Sequence, residues 1–493
     1  MNASLNYIGL EVSVIGLGLV LMLADFFVPA ERRRFIGYAG IAALGALLLM
    51  SFSGNGTCSN FGFAFNNSFV NDGLSLFFKR FFLIAAILVL FIAAEFSDRL
   101  AAGAIAEYYS LIVFALAGML FAASSNDFAM LFVSIELITI TFYVLVSFQR
   151  SKVASLEAGV KYLILGALSS SFMVFGIALI WGTTGTFNFT ELAAVAPQYA
   201  DSKIFLLGVL LVLVGLGFKI AAFPFQIWAP DVYQGAPAPT TAFLAVGSKA
   251  AGFVLLLRFL FSAVPSVTHS HTFATMLIII SAITILYGNL CALPQRNLKR
   301  LLGYSSISHA GYLLLGVAAL NASGQAAILY YLAGYLFTVL AGFLVIALVM
   351  RHLETEDISG LAGLNQRSPL LAATMTLSMV SLAGIPPLAG FFGKFLLLKS
   401  VIEAAKESHR YGYIYLVFIA LAGVVISLYY YFGVIRAIYW SKEAKDLSPI
   451  LLSAPAKVTA WVCIAGIFWL GLFPNTVLNL ANQAATVFAV VAK

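Results

Sequence analysis

The sequence predicts an all-α polytopic membrane protein of about fourteen transmembrane helices. Of its 493 residues, 62% are hydrophobic and only 10% are charged, well short of the roughly 25% charge usual in soluble domains. Apolar runs long enough to cross a bilayer recur from end to end. Two of them are interrupted by proline close to a lysine, near Pro224 and near Pro386/Pro387. No polar stretch is long enough to fold as a separate soluble module.

Taken in order, the first span, 7–27, is followed by ERRR and not by a small-residue cleavage site, so it reads as a retained helix. Spans at 35–53 and 74–95 follow. The latter carries Lys79 and Arg80 near its outer end, where snorkelling with Asp72 nearby is the expected arrangement. A span at 107–123 is uncharged after its first residue. The fifth, 127–148, holds Glu136 at mid-depth, where a charge costs roughly 2.5–3.5 kcal/mol on insertion scales and must pair or meet water. The sixth, 155–181, opens with Glu157 and Lys161 spaced i, i+4, which suits an ion pair and serves a structural or a relay role equally.

The seventh, 204–228, reads LGFKIAAFPFQIW around Lys219 and Pro224. Proline removes an N–H and clashes with the carbonyl four residues back, so the helix breaks there and frees backbone groups beside the ammonium. Glu136 is the natural partner of Lys219, and a buried Glu–Lys pair is a switch that a small rearrangement can tip. Lys249 lies well inside the eighth span, 240–263, with no acid near it in sequence; such a lysine can both load and unload a proton. Spans nine and ten, 273–293 and 300–320, bring His309 in GYSSISHAGY, a titratable imidazole among hydroxyls, open to a relay or a merely hydrogen-bonded role. The eleventh is 325–350. The twelfth, 370–400, contains SLAGIPPLAGFFGKF with Pro386, Pro387 and Lys394. Spans at 411–439 and 457–475 complete the set.

Charge sets the expected orientation. One side holds Arg32, Arg33 and Arg34, Arg150 and Lys152, Arg296, Lys299 and Arg300, then Lys442, Lys445 and Lys457. The other holds only Lys203, Lys406, Arg410 and Lys493. The positive side is the inner one, which puts both termini outside. The net +7 is therefore a topology signal, and scattered basic residues form no nucleic-acid patch. Cys58, Cys291 and Cys463 are too far apart in sequence for a metal or iron–sulfur motif, and no Gly-rich phosphate loop is present, so no cofactor or metal is expected in this chain.

A repeat is visible. Tyr162–Ile180 (YLILGALSSSFMVFGIALI) and Tyr331–Val349 (YLAGYLFTVLAGFLVIALV) match at identical length, Tyr162 aligning with Tyr331. Each is followed, one span later, by the broken lysine helix. Five spans separate the copies, an odd number, so the halves are expected to run in opposite directions, with the interrupted helices marking a transport site. The organisation expected is a three-helix segment at 1–106, five-helix inverted repeats at 107–263 and 264–440, and a C-terminal helix and tail at 441–493. The same alignment sets Glu136 against Ser305. Scarce carboxylates and abundant buried lysine favour H⁺ over Na⁺ as the ion carried.

Three stretches then give a resemblance: GLGFKIAAFPFQIWAPDVYQGAPAPTTAFLAVGSKAA at 215–251, NLKRLLGYSSISHAGYLLLG at 297–316 and SLAGIPPLAGFFGKFLLL at 381–398. Together they resemble the subunit N family of bacterial respiratory complex I, the NADH:quinone oxidoreductase, over nearly the whole chain. The wider family includes the antiporter-like subunits L and M and multisubunit cation/proton antiporters. The resemblance implies proton translocation without local redox chemistry, carried by Glu136, Lys219, Lys249 and Lys394, with the Glu157/Lys161 pair also important. Gln226 is a departure, since some relatives carry histidine there. Also implied are a hetero-oligomer with other membrane subunits such as M and K, flavin, iron–sulfur clusters and quinone in partner chains, and a bacterial cytoplasmic membrane. A subunit of a Na⁺/H⁺ antiporter, or a non-pumping scaffold, are the alternative expectations.

Overall fold

A computed structural model describes residues 7–52, 61–268, 270–352, 356–441 and 447–491; Cys58, Lys442, Lys445 and Lys493 lie outside them. Helices occupy all fourteen predicted spans: α1 Gly9–Ala24, α2 Arg34–Met50, α3 Gly73–Phe96, α4 Ile105–Ala123, α5 Phe128–Val146, α6 Val153–Thr184, the halves α7a Lys203–Ile220 and α7b Trp228–Gly235, α8 Ala238–Ala263, α9 His271–Ala292, α10 Leu298–Ala318, α11 Ala322–His352, the halves α12a Pro369–Ala383 and α12b Ala389–Ser408, α13 Tyr411–Trp440 and α14 Ala454–Leu472. Among the described residues, eleven helices are long and apolar enough to cross a membrane, and α1, α2 and α12a are shorter apolar helices. The tail after span fourteen contains a further helix, α15 Asn475–Val491, which packs on α3 and α11. A small hairpin, β1 Gly62–Ala64 with β2 Phe69–Asn71, precedes α3.

Polar residues at the span ends start the helices. Asp72 accepts the Ser75 N–H and Ser75 Oγ accepts the Asp72 N–H, a reciprocal cap on α3. Asp127 and Asn297 accept from Met130 and Arg300 at the starts of α5 and α10. Those caps satisfy donors that hydrocarbon cannot. In a bilayer, helices associate through close van der Waals contact between small residues. Gly176 of α6 and Gly208 of α7a show this: a Cβ on Gly176 would sit 2.7 Å from the Gly208 carbonyl oxygen.

The core runs through α4, α8, α10 and α11, while α6 and α13 lie at the periphery with broad exposed apolar faces. The most buried helix, α8, is not regular. It has π turns at Leu244–Ser248 and Phe259–Ala263, and between them an α segment whose first residue is Lys249 and whose last is Arg258.

The halves share local structure. Asp127 and Asn297 cap equivalent helices, α5 and α10. Each is flanked by the same reciprocal backbone bonds: Phe128 N–H to Phe187 O with Phe189 N–H to Asn126 O, and Leu298 N–H to Glu356 O with Ile358 N–H to Arg296 O. The caps give a second register beside that of the long helices. Aligned on them, Glu136 falls opposite Ser306 and Thr139 opposite His309, one position on from the alignment of the long helices.

Lys79 also differs from expectation. It does not snorkel: its Nζ lies 2.8 Å from Glu11 Oε1 with both side chains buried, and it donates to Asn71 Oδ1 at 3.0 Å. Asp72 is engaged elsewhere, by Arg258. The hairpin folds Asn71 inward and α1 packs its one carboxylate against α3, which gives the ammonium interior partners within reach.

Candidate functional site

Both interrupted helices break in the same way. α7a ends at Ala221 (φ 58°) and α12a at Gly384 (φ 87°), each in the left-handed region. The Ala222 N–H reaches back to Gly217 O at 2.9 Å and the Ile385 N–H to Val380 O at 3.2 Å, a left-handed helix stop in each. Phe225 N–H then bonds Ala222 O, and Leu388 N–H bonds Ile385 O. Pro224 and Pro387 follow at equivalent positions, each after a cis peptide bond.

The polar groups freed at the two breaks are satisfied differently. At the first, Trp228 Nε1 donates to Phe218 O at 2.9 Å, and Thr284 Oγ1 accepts the Phe223 N–H at 3.1 Å. At the second, Lys394 Nζ donates to Leu382 O at 2.8 Å and Ala383 O at 3.1 Å, and Ser381 Oγ accepts the Gly390 N–H. The ammonium thus sits on the carbonyl end of α12a, where the helix dipole favours a cation. It also lies 4.8 Å from the Tyr312 ring centroid.

Lys219, Lys249, Lys394 and His309 are all buried. Lys219 and Glu136 come to one region without direct ion-pair contact. The ammonium donates to Thr139 Oγ1 at 2.7 Å, and the half-buried carboxylate accepts from Ser170 Oγ at 2.5 Å. Thr139 and Glu136 are three apart on α5, so both face the α6–α7a side. Lys249 donates to Ser306 Oγ and to the Ser306 carbonyl. Tyr233 and Tyr335 hydroxyls also meet Ser306 Oγ, at 2.9 and 3.2 Å.

His309 has a hydroxyl on each ring nitrogen: Tyr331 at Nδ1 and Tyr431, 3.0 Å away, at Nε2. Tyr431 also bonds Ser305 Oγ. The chain Tyr331–His309–Tyr431–Ser305 therefore crosses α11, α10 and α13. Two small cavities flank it, one lined by Tyr331, Ser381 and Gly390, the other by Ser305, Tyr335 and Ser378. Each leaves ≈ 10 Å³ open to a water centre, about the room one water requires. An imidazole with hydroxyls on both sides can accept a proton at one nitrogen and release one from the other.

The pair Glu157/Lys161 forms, at 2.8 Å, but its lysine is shared. Lys161 Nζ also lies 2.8 Å from Asp231 Oδ2, and Arg300 Nη1 lies 2.6 Å from Asp231 Oδ1. Asp231, on α7b, therefore ties α6 to α10. Partial burial pushes its carboxyl up, but the hydrogen bonds and charges of Lys161 and Arg300 outweigh that and hold it below the usual carboxylate range. Lys299 is buried too, paired with Glu356 at 2.9 Å and donating to Ala236 O. Gln226 is buried beside the first break.

Sequence reasoning missed Thr139, Ser170, Ser306, Asp231, Tyr331 and Tyr431. Tyr331 opens one of the repeated segments, and Thr139 and Ser306 follow from a cap-based register. Nothing in the sequence points to Asp231 or Tyr431.

Residues 125–427 match the family model described as NADH:quinone oxidoreductase/Mrp antiporter, transmembrane region. The chain is 37% identical over 488 residues to a protein named NADH-quinone oxidoreductase subunit N from Desulforamulus reducens, and 38% identical over 487 residues to one of the same name from Moorella thermoacetica, with 99% of each chain covered. Among solved structures it resembles a chain of respiratory complex I from Thermus thermophilus with bound aureothin, at TM-score 0.78 and 31% identity, covering 96% of this chain and 99% of that one. An Mrp complex from Dietzia sp. shares the fold at TM-score 0.80 with 20% identity, over the full length of both chains. This chain belongs to the transmembrane family of NADH:quinone oxidoreductase and Mrp antiporter subunits, in its subunit N branch.

Proposed function

We propose that this chain is a proton-translocating membrane-arm subunit of NADH:quinone oxidoreductase, with flavin, iron–sulfur and quinone chemistry in partner chains. The observation that carries this reading is the row of buried lysines. Among the described residues, Lys219, Lys249 and Lys394 form no ion pair; each rests on hydroxyls or carbonyls. Such a group can change charge without leaving a buried counter-ion stranded, which a fixed salt bridge cannot do. His309 and its tyrosines lie between Lys249 and Lys394 as the connecting relay. The two broken-helix halves, 107–263 and 264–440, act as inverted repeats around this axis, with both termini outside a bacterial cytoplasmic membrane.

Moving one proton outward costs about 2.3 kcal/mol per 100 mV, and nothing in the chain supplies that work. Partner membrane subunits, such as M and the small helical K, would transmit it through Glu136 and Lys219. Replacing Lys219 by Ala in the assembled complex tests the proposal. Proton translocation driven by NADH oxidation should fall while assembly holds; normal pumping by the assembled variant overturns it. A subunit of a standalone antiporter would instead co-purify without flavin and iron–sulfur chains and respond to a sodium gradient.

A further inference from the structure

The Lys249 segment of α8 has a second charged end. Lys249 and Arg258 are the first and last residues of the α piece between the π turns. That separation is about two and a half turns, so the two side chains leave opposite faces of the helix. Lys249 reaches Ser306 on α10. Arg258 reaches the opposite way: Nε donates to Ala123 O at 2.8 Å, at the last residue of α4, and Nη1 and Nη2 donate to the Asp72 carboxylate at 3.1 and 2.9 Å. Each cation has fixed acceptors, on opposite sides of one short helical piece.

The Arg258 side continues into the N-terminal helices. Asp72 caps α3 through Ser75. Ser75 Oγ donates to Asn71 Oδ1 at 3.3 Å, which also accepts from Lys79, and Lys79 pairs with Glu11 on α1. A buried polar ladder thus runs Glu11–Lys79–Asn71–Ser75–Asp72–Arg258 from α1 to α8. The proposed function gives it no part.

A π turn holds one residue more than an α turn and marks a place where the helix can adjust. With one at each end, the segment Lys249–Arg258 can rotate or slide relative to the rest of α8 unless something pins it. A bidentate arginine–carboxylate pair pins both direction and depth. We propose that the Asp72–Arg258 clasp is a positioning device: it fixes the register of the Lys249 segment so that the ammonium meets Ser306, and thereby lets the N-terminal three-helix unit control the relay lysine. Arg258 is a positioning residue, acting through Lys249 and not on the proton itself.

The inference rests on the proposed translocation reading, and the test separates the two. Asp72→Asn, Arg258→Gln, their combination, Arg258→Lys and Lys249→Ala are introduced into the full complex, and protons moved per quinone reduced are measured at matched assembly. Asn keeps the cap on α3, so Asp72→Asn decides the matter if Arg258→Gln fails to assemble. The expected result is a ratio lowered in Asp72→Asn and Arg258→Gln to the level of Lys249→Ala, no lower in their combination, and partly restored in Arg258→Lys. A full ratio in the clasp variants beside a lowered one in Lys249→Ala overturns the clasp alone, as does a loss of assembly with the ratio intact. A full ratio in Lys249→Ala overturns both readings.

Discussion

Replacing Lys79 by Met should destabilise this chain more than any single change at Lys219, Lys249 or Lys394. Glu11 is 0% exposed and its ion-pair partner is Lys79, 2.8 Å away; among the described residues neither of its oxygens has another polar partner. Removing the lysine leaves a buried carboxylate with nothing to face, which costs about 3–5 kcal/mol, or roughly two to four decades in a folding equilibrium. Glu11→Gln should cost less, because Lys79 keeps Asn71 Oδ1 at 3.0 Å and the Phe69 ring at 4.9 Å. The double change Glu11→Leu with Lys79→Met removes both charges and should regain most of the loss, since apolar replacements of buried pairs are often neutral. The assay is retention of this chain in the purified complex across a heating or denaturant series for parent, singles and double. Lys79→Met as robust as the parent, or a double variant no better than Lys79→Met, would refute the reasoning.

Two further outcomes are expected. A Cβ on Gly390 would lie 1.8 Å from the Ser381 carbonyl oxygen, so Gly390→Ala must push apart the two halves of the second break, at a cost of at least about 1–3 kcal/mol; immunoblots of assembled complex should show it depleted, whereas Gly182→Ala, with open space at its Cβ, should assemble normally. Asp231 is stabilised in its charged form by Lys161 and Arg300, so its folded pKa lies below its unfolded one; the stability it contributes is complete above the unfolded value of about 4 and is lost as pH falls through the folded value. The stability gap between parent and Asp231→Asn should therefore be constant from about pH 8 to 5 and close only in stronger acid, and a gap that closed near neutrality would contradict the assignment.

The membrane fold was legible because its cause is local: a run of about eighteen apolar residues can do little else but cross a bilayer or lie in a core. The broken helices were equally plain, since Pro224 and Pro387 cannot continue an α-helix. Partners were harder to read. Glu136 and Lys219 are drawn to one another on charge alone, yet Ser170 and Thr139 stand nearer to hand, and hydroxyls in a span look like ordinary packing residues in the sequence. The depth of Lys79 in its span favours snorkelling, but depth says nothing of Glu11, two spans earlier and brought alongside only by the packing of α1 with its neighbours. Tyr431 was invisible for the same reason: it belongs to α13, and its place on His309 is a matter of tertiary contact.

Superposing the two breaks, Ala221 on Gly384 and Pro224 on Pro387, exposes a difference that neither half shows alone. It sets Lys219 against Leu382 and Lys394 against Asp231. The lysines therefore do not occupy equivalent positions: one precedes its break and the other follows it. Yet Lys394 reaches back to the Leu382 carbonyl, 2.8 Å away, so its ammonium returns to the level that Lys219 holds in the first half. The consequence is chemical. At the first break the neutral Trp228 indole takes a freed carbonyl, which leaves Lys219 to turn toward Thr139 and the Glu136 helix. At the second the ammonium itself holds the Leu382 and Ala383 carbonyls, so moving Lys394 would leave them unpaired. On this geometry the Lys219 ammonium can leave Thr139 without freeing a carbonyl of its break, whereas displacing Lys394 frees two. The two breaks thus differ in what closes them: the Trp228 indole and Thr284 hydroxyl at the first, the Lys394 ammonium and Ser381 hydroxyl at the second.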